Sequence, residues 1–350
     1  MAHRVRQLLT RLHLDELCGV PGWLDLPGGT PPSAAVLLLH PFGAFDRRAR
    51  IRGRGAASGD VCLFDPLADA LLEAGAAVAR YDNLLHRWRR SDPERSEPTF
   101  SDLVLEAERI SELLRGHPAL GGAPLVLLGV SMGTELAVAL AERAGAEARL
   151  VLVAPVAESR AARWPWRDVD RRLEWLERRG LISRDGSVDL LGARALAAAR
   201  VGWWEPLGLD EPMPPVMDAE RLRAMLHIRH LRELEIILEH GDAAAPGAFY
   251  RDWSAQPPAF RRIGTLKGTM ALHVGAEDWT TPPRQAWLLR EAASPQLRTR
   301  IQTHPGLGHL LSPRSAEGSP TRGPFARRAV RAIVRAVEPR GTAPEEGKDS

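Results

Sequence analysis

Short apolar runs alternate with longer stretches of helical periodicity along most of this chain. That alternation constrains the fold more than any other feature. Ala34-Ala-Val-Leu-Leu-Leu39, Leu125-Val-Leu-Leu128 and Leu150-Val-Leu-Val153 are uninterrupted, while Ala77-Val-Ala-Arg-Tyr81 and Met270-Ala-Leu-His-Val274 are broken once each. Runs of this length, apolar at consecutive positions, suit strands buried on both faces of a mostly parallel sheet. Helical patterns fall between and after them at Leu67–Ala74 (stopped by Gly75), Phe100–Leu114, Glu135–Arg143 and near Gln285–Ala293. A strand at Leu297–Gln302 and an amphipathic helix over Phe325–Val337 close the pattern. Repetition of this kind predicts an α/β fold with crossover helices flanking a central, mostly parallel sheet. At 350 residues, 44% hydrophobic and 26% charged, the chain has apolar mass for one large core and an insert. Wholesale disorder, collagen-like repeats and coiled coil are excluded.

The alternation breaks between about Ala157 and Arg262. Asp170–Arg179 and the long Asp218–His240 read as helices, separated by proline-rich breaks such as Glu211-Pro-Met-Pro-Pro215. Six of the ten tryptophans lie here: Trp164, Trp166, Trp175, Trp203, Trp204 and Trp253. A helical, aromatic insert between two sheet strands reads as a cap over one end of the sheet. The expected domains are therefore a core of residues 1–156, a helical cap of 157–262, the rest of the core at 263–338, and a flexible polar tail at 339–350. Most of the indoles are expected to form the cap's own core. Trp164 and Trp204 are singled out as candidate walls of a ligand pocket, because aromatic surface lines small-molecule sites.

Charge excludes more than it suggests. All but two of the 47 basic residues are arginine, the exceptions being Lys267 and Lys348, and the formal net charge is only +3. Arginines alternate with acids, as in Arg167-Asp-Val-Asp-Arg-Arg-Leu-Glu174, which describes a solvated surface of mixed sign and not a nucleic-acid footprint. No run reaches the ~18–20 apolar residues of a membrane span. The start, Met1-Ala-His-Arg-Val-Arg, has no apolar stretch before its next charge, so no secretory signal is expected. Cys18 and Cys62 make neither a disulfide framework nor a metal spacing. A cytoplasmic protein without metal or organic cofactor is the expectation.

Gly129-Val130-Ser131-Met132-Gly133 joins an apolar strand directly to a helix. A serine at so sharp a turn is held in strained backbone geometry with its oxygen pushed out above the carboxyl end of the sheet, and crowding keeps the flanks to glycine. The next N–H, that of Met132, opens the helix and is placed to stabilise an oxyanion. Serine alone is a poor nucleophile and needs a base, itself oriented by a third group. Candidates follow the last two strands. Asp278 lies in Gly275-Ala-Glu-Asp278, with Glu277 as its competitor. His309 lies in Thr303-His-Pro-Gly-Leu-Gly-His309, with His304 as its competitor. His309 is preferred because Gly306 and Gly308 give it a loop able to present an imidazole.

On these residues the chain, from about Gly19 to Val337 without the cap, resembles the α/β-hydrolase superfamily. Gly129–Gly133, Gly275–Asp278 with Pro282 beyond it, and Gly308-His309 look like that family's nucleophile elbow, acid turn and histidine loop. The first half is similar to a branch of bacterial esterases and serine-aminopeptidase-like hydrolases, which place His-Gly-Ser-Gly, Asp-Arg and Arg-Tyr-Asp in order. The counterparts here are His40-Pro-Phe-Gly43, Asp46-Arg47 and Arg80-Tyr-Asp82, with Pro41 departing from glycine. The resemblance implies a Ser131–His309–Asp278 triad. It also implies an oxyanion hole from the N–H groups of Met132 and Phe42, with Asp46 and Arg47 bracing the loop; His40 and Gly43 of that loop are expected substrate-binding residues.

The activity implied is hydrolysis of a small-molecule carboxylic ester or thioester through an acyl-enzyme. Acyl transfer by the same triad and a non-catalytic ligand-binding scaffold are the alternatives. Two arginine groups follow strands, Arg47, Arg48, Arg50, Arg52 and Arg54, then Arg87, Arg89 and Arg90. They read as solvated loop residues, or as attraction for an anionic substrate. Nothing in the sequence specifies an oligomeric state.

Overall fold

The computed structural model describes residues 10–51, 60–90, 96–145, 147–198, 214–278, 280–313 and 325–338. Eight strands form its central sheet: β1 (Thr10–His13), β2 (Gly22–Leu26), β3 (Ala35–Leu39), β4 (Ala77–Tyr81), β5 (Leu125–Val130), β6 (Ala148–Val153), β7 (Gly268–Gly275) and β8 (Leu297–His304). Their order across the sheet is 1-2-4-3-5-6-7-8. β1 and β2 pair antiparallel with each other, and β2 pairs antiparallel with β4. Every other neighbouring pair is parallel. All five residues of β3 are buried, as consecutive apolar positions predict for a strand covered on both faces, and all five of β4 are buried too, with Arg80 paired to Asp25 and Asp65.

The period of two assigns alternate residues to two cores. Ala35, Leu37 and Leu39 of β3 join Leu127, Leu150, Leu152, Met270 and Leu272 on one face. That face is covered by α2 (Phe100–Gly116), α3 (Met132–Ala144) and α8 (Arg284–Ala292). Val36, Leu38, Val126, Leu128, Val151 and Val153 face the other way, under α1 (Asp65–Glu73) and α9 (Arg327–Val337). In α9 the buried set Ala329, Val330, Ile333 and Val337 follows helical spacing, with arginines on the remaining surface.

Between β6 and β7 come α4 (Arg160–Pro165), a π-helical turn over Trp166–Asp170, α5 (Arg171–Arg178), α6 (Ala219–His240) and α7 (Gly247–Ala255). A small two-stranded ribbon pairs 187–189 with 216–218. Val169, Leu173, Trp175, Leu176, Leu222 and Leu226 make a small core of their own. Phe249, Tyr250 and Trp253 of α7 belong instead to the main core, so the segment is two packing units and not one. Trp203 and Trp204 lie outside the described residues. Among those described, no helix is long and apolar enough to cross a membrane.

Because β3 and β5 are adjacent and parallel, the loops that leave them open at the same edge, beside those leaving β6, β7 and β8. That carboxyl edge is where open α/β sheets hold their ligands.

Candidate active site

Ser131 sits between the last residue of β5 and the first of α3, with φ 53° and ψ −119°. Left-handed φ is strained for a residue carrying a Cβ, and the surroundings hold it there. The Ser131 N–H donates to the Val153 carbonyl at 2.9 Å. The Thr134 hydroxyl donates to the Ser131 carbonyl at 2.6 Å and accepts from the Val156 N–H at 3.0 Å. The flanking glycines are required by contact. A Cβ on Gly129 would lie 2.3 Å from the Gly133 carbonyl oxygen, and one on Gly133 would lie 2.3 Å from that of Leu39.

The last two strands deliver the other members. After β7, a turn closed by the Asp278 N–H on Gly275 O presents Asp278, only 3% exposed. One of its oxygens accepts the N–H groups of Thr280 and Thr281, each at 2.8 Å, and the other lies 2.9 Å from His309 Nδ1. On its opposite edge, His309 Nε2 is 3.0 Å from Ser131 Oγ. A carboxylate only accepts, so Nδ1 carries the ring proton and Nε2 is left to accept from the hydroxyl. The two loops are pressed together, since a Cβ on Gly275 would lie 2.3 Å from the Gly308 carbonyl oxygen. Of the competing residues, Glu277 is not the one bonded to His309. His304 is buried against His273, Nε2 to Nδ1 at 3.1 Å with stacked rings.

The loop after β3 completes the edge. His40 is buried beneath it, ringed by Phe45, Phe64 and Tyr81, with Nε2 3.1 Å from the Asp46 carbonyl oxygen. Burial drives its pKa down to about 4, so the ring is neutral at ordinary pH. Asn83, just past β4, donates to Gly43 O at 2.8 Å and accepts from the Phe45 N–H at 3.3 Å. Arg47 and Asp46 both brace the loop, but not by pairing with each other. Arg47 makes a two-pronged bond to Asp82, and Asp46 accepts the N–H groups of Arg48 and Arg50. The Phe42 ring packs on Phe249, Tyr250 and Trp253 of α7.

Four of the arginines that follow strands have acidic partners. Arg47 binds Asp82, Arg48 binds Asp65, Arg50 lies by Asp46 and Asp60, and Arg87 binds Glu106. Arg52 and Arg54 lie outside the described residues. Four polar groups near the site escaped the sequence reading: Glu135, Arg160, Arg163 and the indole N–H of Trp253. Glu135, one turn beyond Ser131, accepts the Trp253 Nε1–H at 3.2 Å. Burial raises its carboxyl to about 7 against the opposing pull of Arg163, Trp253, Arg262 and Arg160. Its place one turn into the helix that follows Ser131 was readable from the sequence. Its partners come from far along the chain and left no local trace. Trp164 is found stacked on Arg160, its ring also near Arg167 and His230.

A model of the alpha/beta hydrolase family matches residues 36–319, and the chain belongs to that family. Over 170 residues it is 30% identical to the esterase EstD of Thermotoga maritima, a stretch covering 47% of this chain but only 36% of that one. Among solved structures, that of Est1E from Butyrivibrio proteoclasticus with ferulic acid bound superposes with a TM-score of 0.51 at 15% identity. It covers 94% of this chain and 96% of that one. VinJ superposes with a TM-score of 0.50 at 18% identity, over 94% and 98%. At such identities the likeness is one of fold.

Proposed function

We propose that this protein is a serine hydrolase that cleaves a small-molecule carboxylic ester or thioester through an acyl-enzyme. The observation that carries the reading is the unbroken hydrogen-bond chain from Asp278 through His309 to Ser131 at the mouth of the sheet. As Ser131 Oγ attacks the carbonyl carbon, its proton passes to His309 Nε2. Asp278, fixed by two backbone N–H groups, holds the tautomer and stabilises the imidazolium. The N–H of Met132, first in α3 and so without an intrahelical acceptor, and that of Phe42 take the developing oxyanion. His309 then protonates the leaving alcohol or thiol. Water, deprotonated by the same imidazole, attacks the acyl-enzyme, and the acid leaves as Ser131 is restored.

In this reading residues 157–262 act as the cap, with Trp164 in a pocket wall and Gly43 in the oxyanion loop. His40 serves from beneath as a brace. The esterase relative supports the reaction class.

The test is labelling by a fluorophosphonate, read by peptide mass. Adduct on Ser131, absent from Ser131→Ala, together with hydrolysis of short p-nitrophenyl esters, is expected. A folded protein that takes up no label would overturn the assignment and bring the ligand-binding scaffold forward.

A further inference from the structure

Arg160, the first residue of α4, is 2% exposed, and all three guanidinium nitrogens are buried without a hydrogen-bond partner among the described residues. Its Cζ lies 3.1 Å from the centre of the Trp164 ring and 3.9 Å from that of Tyr250, with Trp253 at 5.6 Å. Aromatic surface therefore takes up the faces of the guanidinium, and its donors are confined to the planar edge. Burial lowers the group to about 9, so it stays charged near neutrality. The charged and titratable groups around it are Tyr250, Arg167, Asp242, Arg163 and Glu135, whose carboxyl feels the Arg160 charge. Glu135 accepts the Trp253 N–H, and among the described residues Asp242 makes no ion pair with Arg160. Asp242 Oδ1 accepts the N–H groups of Ala244 and Ala245. A buried cation whose donors all lack acceptors calls for an explanation, and an arriving anion supplies one.

The location says which anion. α4 follows β6, whose terminal Val153 carbonyl holds the Ser131 N–H. Gln285 fixes the entry to α4 by accepting the N–H groups of Ala157 and Glu158. Tyr250 and Trp253, which flank Arg160, are the rings on which Phe42 rests, and Trp253 is bonded to Glu135 one turn from Ser131. One indole thus stands between the guanidinium and the nucleophile's helix. Arg163 adds positive charge on the same side, close enough to feel both Glu135 and Asp278. From this arrangement we infer that Arg160 is the anchor of an anion subsite, and that the substrate is an ester carrying a free carboxylate. The inference rests on the hydrolase reading above. A planar guanidinium presenting only its edge matches a carboxylate's two oxygens in one plane.

The test compares p-nitrophenyl hemiglutarate with its methyl-capped neutral counterpart on wild type, Arg160→Met and Arg160→Lys. Wild type is expected to favour the hemiester in kcat/KM. Both variants are expected to cut the charged-to-neutral ratio by about 10- to 100-fold, the scale of a hydrogen-bonded charge. Lysine is expected to fail because it restores the charge without the fork. A wild type indifferent to the carboxylate overturns the proposal without any variant, as does a folded variant with an unchanged ratio. Calorimetric binding of glutarate to wild type and Arg160→Met separates the two readings. Binding lost with Arg160 in a protein whose Ser131 takes no fluorophosphonate would sustain the subsite while the hydrolase assignment fails. A labelled Ser131 with no glutarate binding would do the reverse.

Discussion

Ser131 carries a Cβ at φ 53°, a conformation that costs of order 1–3 kcal/mol wherever it occurs. The neighbours that impose it are backbone atoms, and backbone atoms do not move aside. Gly133 is the clearest case, since its Cβ would meet Leu39 O at 2.3 Å and His40 O at 2.7 Å, forcing β3 and its loop away from α3. Gly133→Ala is expected to lower stability by about 1–3 kcal/mol and to abolish labelling of Ser131, read by thermal unfolding and the fluorophosphonate. Gly116→Ala, at the end of α2 with open space around it, serves as the control and should unfold no earlier than wild type. The glycine spacing was legible in the sequence because it is local. The identity of what it touches was not, because Leu39 and His40 belong to another strand's end. Arg160 went unread for the same reason. Its context, Glu158-Ser-Arg-Ala-Ala-Arg, looks like any solvated helix start, and the rings of α7, which close over it with Trp164 of its own helix, come from far along the chain.

At the level of elements, periodicity placed most helices close to where they lie. Asp218–His240 is α6 with Asp218 as its cap, accepting the N–H groups of Glu220 and Arg221. The reading of Asp170–Arg179 missed the first half of its helical stretch, which begins at Arg160. Pro165 and the π turn after it shift the apolar face by a residue, so the 3.6-residue pattern breaks there. Connections between elements were least legible. Asp46 and Arg47 are adjacent in sequence, yet Arg47 crosses to Asp82 in the turn after β4. That turn sets the loop after β3 through Asn83, which is 1% exposed, serves both Gly43 and Phe45, and caps the short helix 84–88 through the His86 N–H. Asn83→Ala should cost about 1–3 kcal/mol, the penalty of stranding buried partners. With the loop after β3 loosened, kcat for p-nitrophenyl acetate should fall at least tenfold while Ser131 still takes the probe. An unchanged kcat in this variant would separate the Phe42 loop from the chemistry.

Across the whole molecule, the buried apolar runs made the two-sided sheet legible, whereas the buried polar groups within it were not, and they set how the fold responds to pH. His40 is held near 4 and His273 near 3, each by burial, and His304 is lowered for the same reason. Free histidine takes a proton near 6.5, so below that pH the unfolded chain binds protons that the native rings refuse. Stability therefore falls as pH drops from about 6.5 toward 4, by of order 2 kcal/mol for each of His40 and His273 at pH 5. Glu135 acts in the opposite sense. With its carboxyl near 7 in the fold and about 4.5 when unfolded, the native state holds the extra proton between those values. Its burden is relieved as pH falls through 7, which offsets about 2 kcal/mol of the histidine loss by pH 5. Glu135→Gln keeps an acceptor for the Trp253 N–H but no longer titrates. The variant should be more stable than wild type at pH 7.5 and lose stability more steeply on acidification. Urea unfolding of both proteins at pH 7.5 and pH 5.0 measures the two slopes. Equal slopes would mean that Glu135 is already ionised in the fold, its charge held by Arg163 despite the burial.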